Sequence, residues 1–160
     1  MSDDDIRFVC VARLDGRERV FLWESGDNVP DSVVVDDDGF VVMFASQKEA
    51  RSLPGVSAES AVVYDLDSIG AWCRSDSDVA EHMPLLNAWN LFVDLPHDAN
   101  LFAAADARTR GIYDKLFHGC NLPVMTAPGE HYVPHWTAAE TAELKRVLLL
   151  GLAEFRARLR

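Results

Sequence analysis

The chain has 160 residues, 49% hydrophobic and 26% charged, the composition of a folded domain able to bury roughly two-thirds of its unfolded surface. Its net charge of −11 is lopsided: residues 1–80 hold 17 Asp/Glu against 7 Lys/Arg, and residues 81–160 hold 9 against 8. A field of that sign repels phosphates and steers basic groups, so nucleic acid is a poor candidate partner and a cationic protein a good one.

The first third alternates like antiparallel strands. Ile6, Phe8, Cys10, Ala12 and Leu14 share one face, with Arg7 and Arg13 on the other. Asp15-Gly16 then supplies a tight turn, and Val20–Trp23 resumes the apolar pattern. A second hairpin is predicted from Val33–Val35, the turn Asp36-Asp37-Asp38-Gly39, and Phe40–Ala45. Ser46 and Glu49 have capping-box spacing, which opens a short helix ending before Pro54-Gly55. Ala61–Tyr64 is a further strand, and Asp65 caps a helix carrying Leu66, Ile69 and Trp72 until Ser75–Asp78 interrupts it.

From Asp78 the spacing of Leu85, Leu86, Trp89, Phe92 and Val93 puts the large side chains on one helical face, and Pro96 stops that helix. Another helix is predicted over about Ala105–Phe117, with Ile112, Leu116 and Phe117 inward and Asp106–Arg110 paired at i,i+4. Residues 118–136 are irregular, broken by Gly119, Pro123, Pro128-Gly129 and Pro134. Thr137 and Glu140 form the clearest capping box, opening a helix that reaches nearly to Leu159 and buries Leu144, Val147, Leu148, Phe155 and Leu159. Arg156, Arg158 and Arg160 fall where cations offset the negative end of the helix dipole. The expected fold is α+β: an antiparallel sheet built from N-terminal hairpins, flanked by helices from the C-terminal half, in one domain over residues 1–160.

Met1-Ser2-Asp3-Asp4-Asp5 lacks the positive charge of a secretory leader, and the apolar run Val147–Leu152 is too short to span a bilayer. A cytoplasmic location without membrane association is expected. Cys10, Cys73 and Cys120 are odd in number and contain no CxxC pair, which argues against a disulfide framework. Cys10 lies in an apolar alternating stretch and reads as a core residue.

His118, Cys120, His131 and His135 are the residue types zinc prefers, but Pro134 keeps the last two histidines off adjacent helical turns, and no second cysteine completes a knuckle. Cys120 with His118 or His131 is a nucleophile–base pair only if a third group orients the imidazole, and no such Asn or Asp is recognisable. No GxGxxG, Walker loop, HExxH or GxSxG occurs. The expectation is therefore no catalytic residue, no metal and no cofactor. Trp23, Trp72, Trp89 and Trp136 read as packing residues before ligand platforms.

The acidic groups remain. Asp36, Asp37 and Asp38 are good turn chemistry, and Asp65, Asp67, Asp76 and Asp78 flank helix starts, where carboxylates satisfy free N–H groups. Caps and turns explain each one singly but not the asymmetry between the halves. These seven are the candidate partner-contacting residues.

Ser46-x-x-Glu49-Ala50, Tyr64-Asp65-Leu66-Asp67, Leu86-Asn87-Ala88-Trp89-Asn90, Ile112-Tyr113-Asp114-Lys115-Leu116-Phe117, Asn121-Leu122-Pro123 and Gly129-Glu130-His131-Tyr132 occur in an order that resembles small bacterial immunity proteins of contact-dependent growth inhibition and related polymorphic toxin systems. The resemblance is one of layout over roughly residues 6–150. It implies a non-enzymatic cytosolic inhibitor of one cognate toxin domain, often a nuclease and commonly basic, and an antiparallel sheet flanked by helices. The matching segments look like scaffold and bring no binding residues with them. The alternatives are a small Cys/His- or metal-dependent enzyme built on residues 118–136, and a structural adaptor domain.

Overall fold

Strand β1 (Ile6–Leu14) turns into β2 (Arg17–Ser25) at Asp15-Gly16, both with positive φ (55° and 72°), the pair of left-handed residues that a two-residue hairpin requires. The structure, a computed structural model, describes residues 5–26, 30–96 and 107–160. β2 next pairs antiparallel with β3 (Ser32–Val33), and β4 (Val62–Asp65) lies on the far side of β1, giving the order β3-β2-β1-β4.

β4 runs parallel to β1, so the sheet is mixed where hairpin patterning predicts an antiparallel one. Alternation reveals a strand but not its direction. The direction is decided by the excursion through helix α1 (Gln47–Arg51), which lays Ala50 against the side of the sheet bearing Val9, Val11, Val20 and Leu22. β1 is accordingly buried on both faces along its middle, not on one alone. The second predicted hairpin is reduced to a Val35–Val41 bridge and backbone bonds around the Asp36–Gly39 turn. Its return limb leaves its partner and contacts β2 at Val20–Phe44.

On the other face, Cys10, Ala12, Leu14 and Phe21 meet helices α2 (Leu66–Cys73), α3 (Met83–Val93), α4 (Ala107–Gly119) and α5 (Ala138–Ala157). The architecture is α+β, as the patterning predicts. α5 packs against the other three helices, and its Phe155 sets its ring edge-on to Phe21 at 5.7 Å. Its N-terminus is closed by the predicted box: Glu140 N–H donates to Thr137 Oγ1 (3.1 Å), and Thr137 N–H donates to Glu140 Oε1 (3.0 Å).

α3 starts at Met83, five residues later than predicted. Pro84 has no N–H and would clash with the carbonyl of residue 80 in a longer helix, but it suits a first turn. Val93, predicted inward, is 44% exposed, because the buried face of α3 is completed by Ala88 and Leu91. α4 ends two residues beyond its predicted stop, whereas its predicted start at Ala105 and the acidic member of the predicted Asp106–Arg110 pair lie outside the described residues.

Candidate functional site

The seven candidate carboxylates divide by what holds them. Asp36 accepts the backbone N–H groups of Asp38 and Phe40, so it builds its own turn. Arg160 reaches back from the C-terminus to Asp38 (2.9 Å) and Asp36 (3.7 Å), with its guanidinium over the Phe40 ring. Asp65 caps α2 through Ser68, whose hydroxyl and N–H hold its carboxyl below the usual range. Asp67 accepts both N–H groups of the Asp15-Gly16 turn, tying α2 to the hairpin. Asp37, Asp76 and Asp78 are exposed, and the Asp78 backbone carbonyl accepts the Trp72 indole N–H (3.0 Å). The seven do not form one patch: Asp36–Asp38 face the end of α5, and the others follow α2.

The helix-end cations have more specific partners than the dipole. Arg156 forms a two-bond pair with Asp15, and Arg158 bridges Glu154 and the Gly39 carbonyl. The C-terminal arginines thus offset acidic charge at one end of the molecule.

Residues 120–136 form a loop with a closed neck. Asn121, itself at φ 49°, donates to the Tyr132 carbonyl (2.9 Å) and accepts the Tyr132 N–H (2.7 Å). Lys115 donates to the His135 carbonyl (2.7 Å) and to Glu140 (2.8 Å), fastening the loop's exit to α4 and α5. His118 and His131 line one cleft of about 670 Å³, and Cys120 and His131 line a neighbouring one of about 440 Å³. His118 uses Nδ1 on the Asp114 carbonyl, one turn back. Among the described residues, no three His, Cys, Asp or Glu side chains converge as metal ligands.

The thiols are poorly placed for nucleophilic chemistry. Cys120 donates to the Leu116 carbonyl, and burial pushes its thiol up. Burial likewise takes Cys73 to about 11 and Cys10 to about 12, so all three free thiols stay protonated at neutral pH. His82 carries no sequence signal yet is well embedded. It accepts the Trp136 indole N–H at Nε2 (3.0 Å), lies against Gly119, and is kept neutral by burial.

Two hollows flank β4. A groove of about 590 Å³ runs between α2 and the start of α3, lined by Val63, Ile69, Trp72, Met83 and Leu85, with Asp65 and Glu81 among its polar groups. A smaller pocket of about 340 Å³ lies over the sheet, walled by Phe8, Trp23 and Tyr64 and containing Asp94. Tyr64 and Asn87 belong to both, so the two form one surface. Val62 (43% exposed) and Val63 (49%) lie on it, beside an outer β4 edge that pairs with no other strand among the described residues. Sequence reasoning misses this surface because Phe8, Trp23 and Asp94 meet only after folding.

Ionisation adds a testable consequence. Arg156 lowers Asp15, Ser68 lowers Asp65, and Lys115 lowers Glu140. A carboxyl whose folded pKa is depressed stabilises the fold above its unfolded pKa and loses that contribution as pH falls through the folded value. The urea midpoint is therefore expected to drop as pH is taken below about 4. A Glu140→Gln variant should lose part of that acid dependence. An acid profile identical in parent and variant would show that the Lys115–Glu140 contact contributes nothing.

Among the described residues no helix is long and apolar enough to cross a membrane. No protein-family model, curated protein or solved structure matches the chain.

Proposed function

We propose that this chain is a non-enzymatic inhibitor of the immunity type, which binds and neutralises one cognate, basic toxin domain, such as a nuclease, in the cytoplasm. What supports the reading most is the charge left over after folding. Asp15, Asp36 and Asp38 are engaged by C-terminal arginines, whereas Glu59, Asp65, Glu81 and Asp94, which line the hollows beside β4, form no ion pair among the described residues. Apolar Val62, Val63 and Met83 lie among these carboxylates. Steering charge around apolar anchors is the combination a fast, tight inhibitor needs.

The test is binding to the C-terminal toxin domain encoded by the neighbouring upstream reading frame. Association is expected to slow by about tenfold or more between low and high salt, with dissociation changing less. Replacing Glu59 and Glu81 with Gln should slow association at low salt, since it removes two charges beside β4 that are unpaired among the described residues. It should do so more than replacing Asp36, Asp37 and Asp38 with Asn, because Arg160 already offsets that turn. An Asp114→Asn, Glu130→Gln variant should have a smaller effect. Indifference to salt and to the Glu59→Gln, Glu81→Gln variant would remove electrostatic steering. Failure of the co-expressed chain to protect cells from that toxin domain would remove the inhibitor reading itself.

A further inference from the structure

We propose that the pocket over the sheet, walled by Phe8, Trp23 and Tyr64 and containing Asp94, is a receptor for the guanidinium group of an arginine carried by an extended segment of the protein partner. The identity of that partner rests on the inhibitor reading; the pocket's preference for a guanidinium does not.

Asp94 is the C-cap of α3, where the last carbonyls already concentrate partial negative charge. A carboxylate is the wrong charge for such a position, and the last turn of α3 holds no basic residue to offset it. The side chain is half-buried, and its one hydrogen bond among the described residues comes from the Trp23 indole to Oδ2 (2.9 Å). Oδ1 and the remaining lone pairs have no donor there. Desolvation by burial raises the Asp94 carboxyl pKa, the Trp23 hydrogen bond offsets part of that rise, and Asp31, of the same sign, adds to it. The Arg7–Glu24 pair belongs to the neighbouring strand positions, which point to the opposite face from Phe8 and Trp23. Among the described residues the pocket is therefore negative, partly dry and without an internal cation.

Its walls narrow the cation to a planar one. Phe8 and Trp23 pack at 5.6 Å between centroids, offering π-faces that a guanidinium stacks on better than a compact ammonium does. A volume of about 340 Å³ is at the small end for a ligand site, suited to one side chain. A protein carrier fits because Val62 of the open β4 edge lines the same pocket. A strand added to that edge would alternate its side chains over the two faces and could deliver an arginine while its backbone pairs with β4. The opposite margin of the sheet is less available, because the outward Val33 N–H is already bonded to the Asp94 carbonyl (2.9 Å).

N-acetyl-arginine amide is the probe, titrated into the isotope-labelled chain while the Trp23 indole N–H resonance is followed. Saturable shifts are expected. The citrulline analogue, equal in shape but uncharged, should produce none at the same concentrations, and the lysine analogue should bind more weakly. Asp94→Asn keeps an acceptor for Trp23 and removes the charge, so the variant should fold and bind the arginine probe at least about tenfold more weakly. Asp38→Asn should bind like the parent. In the complex, Asp94→Asn should dissociate from the toxin domain at least about tenfold faster. An arginine probe that fails to bind, a citrulline probe that binds equally, or an unchanged Asp94→Asn variant would each overturn the pocket assignment, and toxin binding by the parent chain would survive any of them. A probe that binds as expected beside a toxin domain that does not would instead sink the inhibitor reading and leave the pocket standing.

Discussion

Trp89→Ala is expected to destabilise the fold by about 3–5 kcal/mol, the range for removing a large aromatic from a packed core. Trp89 is 4% exposed and sits on the buried face of α3 with Leu85, Leu86 and Phe92. Its ring lies 5.5 Å from that of Tyr113, whose hydroxyl donates to Asn90 (2.9 Å), so the indole joins α3 to α4 as well as to the core. For a chain of this length, each kcal/mol lowers the melting temperature by roughly 2–4 °C. Urea and thermal unfolding followed by circular dichroism measure the loss directly. Trp89→Phe retains a ring and should cost less. A Trp89→Ala variant that melts with the parent would contradict the packing described for α3.

Gly151→Ala is expected to destabilise by about 1–3 kcal/mol, the usual cost of overpacking a dense core. In an exposed helix the same change would stabilise by about 1 kcal/mol, because alanine is the better helix former. Gly151 lies in α5 where it crosses α3, and a Cβ there would come within 2.1 Å of the Phe92 ring. Phe92 is fully buried, so the ring has nowhere to swing without disturbing its neighbours. The sign of the effect is the test. A smaller residue at position 92 should relieve the clash, so Gly151→Ala combined with Phe92→Leu should be less destabilised than the two single changes added together. A stabilised Gly151→Ala variant would show that α3 and α5 separate more readily than this contact allows.

Both expectations concern positions whose local pattern is only half informative. The apolar spacing of α3 is legible, and it identifies Leu85, Leu86, Trp89 and Phe92 as inward. Nothing local distinguishes Gly151 from a mere weak point in the last helix, because its reason for being glycine is a ring on another element. Val93 is the converse case. It fits the apolar stripe by spacing but faces outward, since α3 meets its neighbours along an arc completed by Ala88 and Leu91.

The charged residues divide in the same way. The excess of carboxylates in residues 1–80 is a property of composition and survives any fold. Which of them remain available is set by where Arg156 and Arg160 land, 141 and 122 positions along the chain from Asp15 and Asp38. The sequence points to the acidic turn at Asp36–Asp38 as a partner surface, and folding brings Arg160 onto that turn. Asp94 carries no mark in sequence beyond being one Asp near the end of a helix. It acquires its surroundings only when α3 sets its C-terminus against Trp23 and β3.

Local chemistry by itself determined the β1–β2 hairpin, through Asp15-Gly16 and its flanking alternation, and the helix starts at Ser46, Asp65 and Thr137, through side chains that cap their own first turns. These depend on residues a few positions apart, so a single stretch of sequence contains the whole interaction. Tertiary structure decided the parallel direction of β4, the shrinkage of the second hairpin, the embedding of His82 and the meeting of Phe8, Trp23, Tyr64 and Asp94 around one pocket. Each of those is a contact between segments far apart in the chain, settled by which faces bury the most apolar surface together, and periodicity along one segment carries no record of the partner it will meet.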